Sequence, residues 1–236
     1  MTETGILLGT AISIALIHTL IGPDHYIPFI ALSRANNWTV KKTVYIVLLC
    51  GTGHILGSVI LGFLGIALSA GISSLINIED IRGTLATYLL IAFGLAYTIY
   101  GIRQAVIKKP HSHFLTGGSH SNDDLHLHDS LHTHDDQKRD KKANSVFWGM
   151  FIFFVLGPCE PLIPILMYPA AVMDVFTLGL VTLSFSVCTI TVMLLMTLLG
   201  IKGFQLIKFN KLERYVHALA GCVIVLCGVS VLLLPI

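Results

Sequence analysis

The stretch HTLIGPDH, which begins at His18, places two histidines and an aspartate directly after an apolar run. In a helix, His18 and His25 are seven residues apart and therefore share one face, about two turns from each other. Asp24 lies one residue off that face, next to a Gly-Pro pair that predicts a break in the helix. Imidazoles and carboxylates are ligands for first-row divalent cations. The stretch therefore indicates a metal site inside an apolar segment.

Residues of the same chemistry occur in two other apolar segments, as His54 in CGTGHILG and as Cys159 and Glu160 in LGPCEP. All of them fall near the middle of the bilayer when counted from the ends of their segments. An ionisable side chain at that depth costs at least a few kcal/mol and by default marks an ion or substrate path. The candidate ligands are His18, Asp24, His25, His54, Cys159 and Glu160. A hydrogen bond to a neighbouring helix stays open as the alternative role of His54.

The middle of the chain carries a second metal signal, because residues 111–134 contain seven of the eleven histidines. These are His111, His113, His120, His126, His128, His132 and His134. Aspartates are interspersed and apolar residues are few, so this segment is predicted to be disordered. Histidine-rich tracts bind transition metals loosely. We expect this segment to capture metal.

The composition assigns the chain to the membrane proteins. Hydrophobic residues make up 54% of the 236 residues and charged residues only 12%, and the mean hydropathy is +0.80. A soluble domain carries about twice that share of charge, and barrel strands would alternate apolar and polar residues. We predict an all-α, polytopic membrane protein with an uncleaved first helix. The expected partner is the lipid bilayer; nucleic acid, enzymatic activity and a tightly bound cofactor are not expected.

Six membrane spans are predicted in two similar halves. They cover residues 5–33, 43–70, 83–106, 145–171, 174–201 and 212–234. Gly-Pro pairs interrupt the first span and the fourth, and polar residues follow each pair. The predicted units are a first repeat over residues 1–106, the His-rich loop over 107–143 and a second repeat over 144–236. Three spans per repeat force the halves into opposite orientations, and matched broken helices in inverted halves point to a substrate site near the midplane.

The basic residues predict the orientation. Of the 15 Lys and Arg residues, every one except Arg82 falls beside the loops that follow odd-numbered spans. Basic loops stay in the cytoplasm, so both termini are predicted outside and the His-rich loop inside, in a multi-pass protein of the cell (inner) membrane. No Lys or Arg lies deep in a predicted span, which argues against an anionic cargo.

Together these motifs resemble the nickel/cobalt transporter group of the lysine-exporter-type superfamily, whose members have three plus three helices. The resemblance rests on HTLIGPDH, CGTGHILG, the His-rich loop and LGPCEP, and is closest to the urease-accessory-type and efflux-type members. The family motif has four residues between the first His and Asp-His, whereas this chain has five, 19–23. The resemblance implies metal ligation by His18, Asp24 and His25, and also by His54.

The expected function is export of Ni²⁺ or Co²⁺, with Zn²⁺ also compatible. A tract of seven histidines raises the metal concentration on its own side of the membrane, which favours loading from the cytoplasm. Uptake stays open, since the tract can also receive metal after entry. Export of small organic or sulfur anions, a thiol relay and metal delivery to an enzyme are further alternatives. The relay needs redox cysteines at both breaks, and only Cys159 is present. A homo-oligomer is left open.

Overall fold

The computed structural model describes residues 3–67, 72–107, 146–157, 159, 161–165, 175–205 and 213–233. Within these ranges the secondary structure is helical and contains no strand, which confirms the all-α class. The main helices are α1 (Glu3–Ile21), α2 (Ile27–Ala35), α3 (Val40–Ala67), α4 (Ile72–Ile107), α5 (Val146–Leu156), α6 (Val175–Gln205) and α7 (Val216–Leu233). The predicted His-rich segment and Glu160 lie outside the described residues.

Five helices, namely α1, α3, α4, α6 and α7, are long and apolar enough to cross a membrane. Large apolar side chains such as Ile17 and Leu226 are exposed on their outer faces, as expected for helices whose surroundings are lipid. The sequence therefore encodes a multi-pass membrane protein. Of the predicted fourth span, the structure describes helix α5, which ends at Leu156, and a short helical stretch at residues 162–165. The described part of α5 is shorter than the about 20 residues that cross hydrocarbon.

The helix boundaries agree with the predicted first break and differ at α4. Helix α1 ends at Ile21, a single 3₁₀ turn covers Pro23–His25, and α2 follows. Helix α4 begins at Ile72, well before the predicted residue 83. The physical reason is that Glu79 and Arg82, three residues apart, form an ion pair of 2.6 Å within the helix. These charges therefore belong to the helix and not to a loop.

The long helices pack against one another in pairs. Helix α4 packs along α7, α1 packs against α6, and α3 also contacts α6. The α4–α7 pair is close because glycines face the partner backbone: a Cβ at Gly94 would lie 2.8 Å from the backbone nitrogen of Val225. A Cβ at Gly101 would overlap the backbone of Ala218. Small residues permit such close approach between membrane helices.

Candidate metal centre

Three histidine rings meet in the interior of the helix bundle. The ring centroids of His18 and His25 are 4.9 Å apart, and those of His25 and His54 are 5.2 Å apart. One ligand nitrogen from each ring lies within 4.8 Å of the others. His25 and His54 are buried, with 3% and 4% of their surface exposed, and His18 is half-buried. We call these three residues the His cluster.

The first break explains how two of the rings come from one short stretch. The Gly22 N–H donates to the His18 carbonyl at 2.9 Å, which closes the last turn of α1. Pro23 has no N–H to continue the helix. The 3₁₀ turn Pro23–His25 follows, and the His25 N–H donates to the Gly22 carbonyl at 3.2 Å. This turn places the His25 ring against the His18 ring at the end of α1.

Gly22 is required at the break by space and not by its backbone angle. Its φ of −73° is available to any residue. A Cβ at Gly22, however, would lie 2.6 Å from His25 Nδ1 and 3.0 Å from Asp24 Oδ1. A side chain at position 22 would therefore displace the His25 ring.

Hydrogen bonds to Nδ1 fix the tautomer of two of the rings. His25 Nδ1 lies 3.1 Å from Asp24 Oδ1, and His54 Nδ1 lies 3.3 Å from the carbonyl oxygen of Phe154. A carboxylate and a carbonyl only accept, so in both rings Nδ1 carries the proton and donates it. Each ring then presents a bare Nε2 lone pair. This is the arrangement that supporting hydrogen bonds create for metal-binding histidines.

The Nε2 atoms of the His cluster are buried without partners. Among the described residues, Nε2 of His18, of His25 and of His54 has no hydrogen-bond partner. A buried polar atom left unpaired lowers the stability of the fold by about 1–3 kcal/mol. Three such atoms in one cluster indicate that a ligand can bind there. A cation bound by all three lone pairs satisfies them together.

The donor set and the spacing suit a first-row divalent ion. Imidazole nitrogens bind Zn²⁺ at about 2.0–2.1 Å, which corresponds to roughly 3.3 Å between nitrogens of a tetrahedral site. The ligand nitrogens of the His cluster lie up to 4.8 Å apart, so each ring needs to shift by less than about 1 Å to reach that geometry. Imidazoles without further oxygen ligands disfavour Mg²⁺ and Ca²⁺.

Asp24 lies behind the His cluster and not within it. Its Oδ1 contacts Nδ1 of His25, the ring nitrogen that does not belong to the set of unpaired ligand atoms. Its side chain keeps 22% of its surface exposed. In this geometry Asp24 orients the His25 ring and places a carboxylate beside the His cluster.

The second break, at Gly157-Pro158, supplies the partner of His54. The Gly157 N–H still donates to the Phe153 carbonyl at 2.8 Å. Pro158 has no N–H, so the Phe154 carbonyl lacks the donor that a continuing helix would provide. His54 fills that place from α3. The freed carbonyl therefore fixes the ring that completes the His cluster.

Two further groups at the second break are also satisfied from other helices. In a continuing helix the Cys159 N–H would donate to the Val155 carbonyl, but it donates to Ser58 Oγ at 3.0 Å. The Val155 carbonyl accepts from Arg82 Nη2 at 3.1 Å. Buried backbone groups need such partners. Sequence reasoning missed Ser58, Glu79 and Arg82. Glu79 and Arg82 are three residues apart, which is the spacing of an ion pair within a helix, and this spacing was the signal that could have indicated them.

Arg82 lies closer to the centre than the sequence suggested. Its guanidinium reaches the carbonyl next to the one that His54 contacts. The prediction that no Lys or Arg lies deep in a span was made for a third span that begins at residue 83, whereas Arg82 falls within the candidate membrane helix Ser74–Ile107. The ion pair with Glu79 neutralises its charge, so it offers no free positive charge to an anion.

Cys159, a predicted ligand, and two further polar residues of the helices lie outside the His cluster. Cys159 is fully buried beside Ala15, Leu162 and Phe185, and it is not among the converging ligand atoms of the described residues. His217 contacts the Tyr97 hydroxyl at 2.9 Å, away from the His cluster. In α6, Ser186 Oγ donates to a carbonyl of its own helix. The seven loop histidines and Glu160 lie outside the described residues, so their predicted roles stay predictions.

Comparisons with known proteins add no relative: no protein-family model, no curated protein and no solved structure matches this chain.

Proposed function

We propose that this protein is a membrane transporter that exports a divalent first-row transition metal, Ni²⁺ or Co²⁺, from the cytoplasm. The observation that carries the proposal is the His cluster: three histidines, each with a buried Nε2 atom that has no partner among the described residues, bring one ring nitrogen each to within 4.8 Å of the others inside a bundle of apolar helices. The metal is the cargo, and His18, His25 and His54 bind it during passage. Asp24 orients His25 and supplies negative charge.

A transport role is supported by the depth of the cluster. His54 is the fifteenth residue of the 28-residue helix α3, so about 20 Å of helix lies on either side of it at 1.5 Å per residue. His18 belongs to α1 and lies against the first break. A site halfway through the bundle, beside two broken helices, is the arrangement expected for transporters with alternating access.

The helix contacts also support the proposed pair of inverted three-helix repeats, with α5 as the first part of the fourth span. In such a pair, α4 corresponds to α7 and α3 to α6, and each of these pairs is in contact. The contact of α1 with α6 has its counterpart in that of α3 with α5, where His54 meets the Phe154 carbonyl. The glycines of both breaks lie against a ring of the cluster: Gly22 against His25, and Gly157 against His54.

A cation is favoured over an anion as the cargo. His25 and His54 offer lone pairs at Nε2 and not N–H donors, since their protons are engaged at Nδ1. Arg82, the cationic side chain that reaches the second break, is paired with Glu79. An anion would meet these two acceptors and the carboxylate of Asp24. Export of organic or sulfur anions is therefore the weaker alternative.

The direction and the topology of the proposal rest on the sequence. The basic residues place the His-rich segment in the cytoplasm, where seven histidines concentrate the ion before it enters the path. Labelling of a cysteine introduced at Ser119, in a chain without other cysteines, tests the side. Reaction with an impermeant reagent added to intact cells would overturn this topology.

The deciding experiment expresses the chain in a metal-sensitive host and measures nickel and cobalt tolerance together with cellular metal content. Export predicts higher tolerance and lower metal content than in the host without the protein. Deletion of residues 111–134 should partly reverse both changes. Alanine variants of His18, His25 and His54 should abolish the effect, while His217→Ala, which lies outside the cluster, should retain it. Wild-type flux in all three cluster variants would overturn the site. Higher metal content with greater sensitivity would mean uptake.

A further inference from the structure

Two consecutive carbonyls of the second break are bound by two different helices. The Phe154 carbonyl accepts from His54 of α3, and the Val155 carbonyl accepts from Arg82 of α4. We propose that Arg82 is a positioning residue: together with Glu79 it fastens the second break to α4, across the face of α3 that carries His54, and thereby sets the metal affinity of the His cluster. This inference rests on the proposed metal site. We call Glu79, Arg82 and the Val155 carbonyl the Arg82 latch.

The Arg82 latch is a buried, charge-assisted arrangement. Arg82 Nη1 donates to Glu79 Oε1 at 2.6 Å, and Nη2 donates to the Val155 carbonyl at 3.1 Å. The Glu79 side chain is 2% exposed and that of Arg82 is 18% exposed. Hydrogen bonds from a charged donor are stronger than those between neutral groups, and the planar guanidinium serves two acceptors in fixed directions. Glu79 therefore orients the group that binds the break.

Gly57 creates the space through which the latch passes. A Cβ at Gly57 would lie 2.7 Å from Arg82 Nη2 and 2.9 Å from the Val155 carbonyl oxygen. Gly57 is three residues after His54 on α3 and so lies on the same face, one turn away. The Arg82 guanidinium consequently crosses α3 one turn away from His54, the residue that it is proposed to position.

The coupling to His54 follows from the rigidity of the backbone. Phe154 and Val155 are consecutive residues of α5, so their carbonyls lie on adjacent peptide units of one helical turn, and a shift of the Val155 carbonyl moves the backbone that carries the Phe154 carbonyl. That carbonyl fixes the orientation and the tautomer of the His54 ring. Loss of such supporting hydrogen bonds lowers metal affinity by about 10–100-fold in other metal sites. The latch thus acts on the ion through His54 without touching it.

The test titrates the purified full chain in detergent with Co²⁺ and follows the affinity and the visible absorption that His54→Ala removes, because the His-rich segment is also expected to bind the ion. Arg82→Gln and Glu79→Gln should weaken binding by about 10–100-fold and change the Co²⁺ spectrum. Arg82→Lys retains a cationic donor and should recover part of the affinity. Arg103→Gln removes a charge from an exposed position of the same helix and should match the wild type.

A second measurement needs no metal. Cys159 is fully buried beside the break, so its thiol should react faster with a maleimide in Arg82→Gln than in a chain with Arg82. In both of these proteins, serine replaces the four cysteines other than Cys159. Gly57→Ala keeps every charge but displaces the guanidinium, and it should repeat both effects if Arg82→Gln does not fold.

The outcomes separate the two proposals. Wild-type Co²⁺ affinity and unchanged Cys159 reactivity in Arg82→Gln, or in Gly57→Ala, would overturn the latch and leave the metal site intact. Identical Co²⁺ titrations and spectra of the wild type and His54→Ala would overturn the proposed function. In that case the reactivity of Cys159 still decides whether Arg82 positions the break.

Discussion

The two helix breaks of this protein differ in where their hydrogen-bond partners come from. At the first break the partners lie in the same short segment: the Gly22 N–H donates to His18, and the Tyr26 hydroxyl donates to the Leu20 carbonyl at 3.3 Å. At the second break they come from α3 and α4, which lie far away in the sequence. His54, Ser58 and Arg82 contribute one partner each.

This difference separates two roles. The first break carries two rings of the His cluster, and the hydrogen bonds that shape its backbone come from residues 18–26. The second break contributes no ligand atom to the cluster among the described residues, yet it orients the third ring through the Phe154 carbonyl. Substitutions at the first break should therefore act on the ligands directly, and those at the second break should act through α3.

The largest difference is expected between the glycines of the two breaks. Gly22→Ala places a Cβ 2.6 Å from His25 Nδ1 and must displace the ring, whereas a Cβ at Gly157 would lie 3.3 Å from His54 Nδ1. We expect Gly22→Ala to weaken Co²⁺ binding by more than about 100-fold, since a ligand is lost, and Gly157→Ala by about tenfold or less. Titration of the purified variants measures both.

Gly9→Ala is the matched control for this pair, because a Cβ at Gly9 of α1 meets nothing within 4 Å. It should bind Co²⁺ like the wild type. If Gly157→Ala proves as damaging as Gly22→Ala, the division between a ligand-bearing break and a supporting break is wrong.

Asp24 provides the next largest effect, because it tests whether the first break orients His25 or binds the ion through its own carboxylate. Asp24→Ala removes the acceptor of the His25 Nδ1 proton and should weaken Co²⁺ binding by about 10–100-fold. Asp24→Asn retains an oxygen acceptor and should lose less. Equal and complete loss of binding in both variants would instead make Asp24 a direct ligand. Glu3→Gln, at the exposed start of α1, controls for the change in charge.

The sequence predicted the first break well because that break is local. The seven-residue spacing of His18 and His25 and the Gly-Pro pair between them are visible in one line of sequence. The structure brings both rings together, with His54 beside them. The apolar runs likewise indicated a multi-pass helical protein, since the length of a membrane helix is set by the bilayer.

The second break could not be predicted to the same extent, because its partners depend on tertiary packing. Nothing in LGPCEP indicates that Ser58 accepts from Cys159 or that Arg82 reaches Val155. Charged residues near position 80 suggested a loop, and burial of the Glu79–Arg82 pair inside α4 reversed that expectation. The long-range contacts of a freed carbonyl are a property of the neighbouring helices and not of the break itself.

Ser58 gives a smaller effect, on stability. Ser58→Ala leaves the buried Cys159 N–H without its acceptor, which should cost about 1–3 kcal/mol in the free energy of unfolding. Thermal unfolding in detergent measures this. Ser13→Ala is the control: Ser13 is exposed, and its hydroxyl donates only to a carbonyl of its own helix. A Ser58→Ala variant as stable as Ser13→Ala would show that the second break does not depend on α3 for this group.

The smallest effect is expected at Tyr26, the counterpart of Arg82 at the first break, because both side chains donate to a carbonyl freed near a Gly-Pro pair. The Tyr26 bond to Leu20 is long, at 3.3 Å, and partly exposed, so water can replace the hydroxyl when Tyr26→Phe removes it. A neutral hydrogen bond contributes about 0.5–1.5 kcal/mol at most, and this one should fall at or below the lower limit. Co²⁺ affinity should stay within about twofold of the wild type, because the backbone bonds of Gly22 and His25 already fix the turn. A tenfold loss in Tyr26→Phe, equal to that in Arg82→Gln, would mean that the first break also depends on a side-chain donor. The contrast between the two breaks would then be one of distance along the chain and not of mechanism.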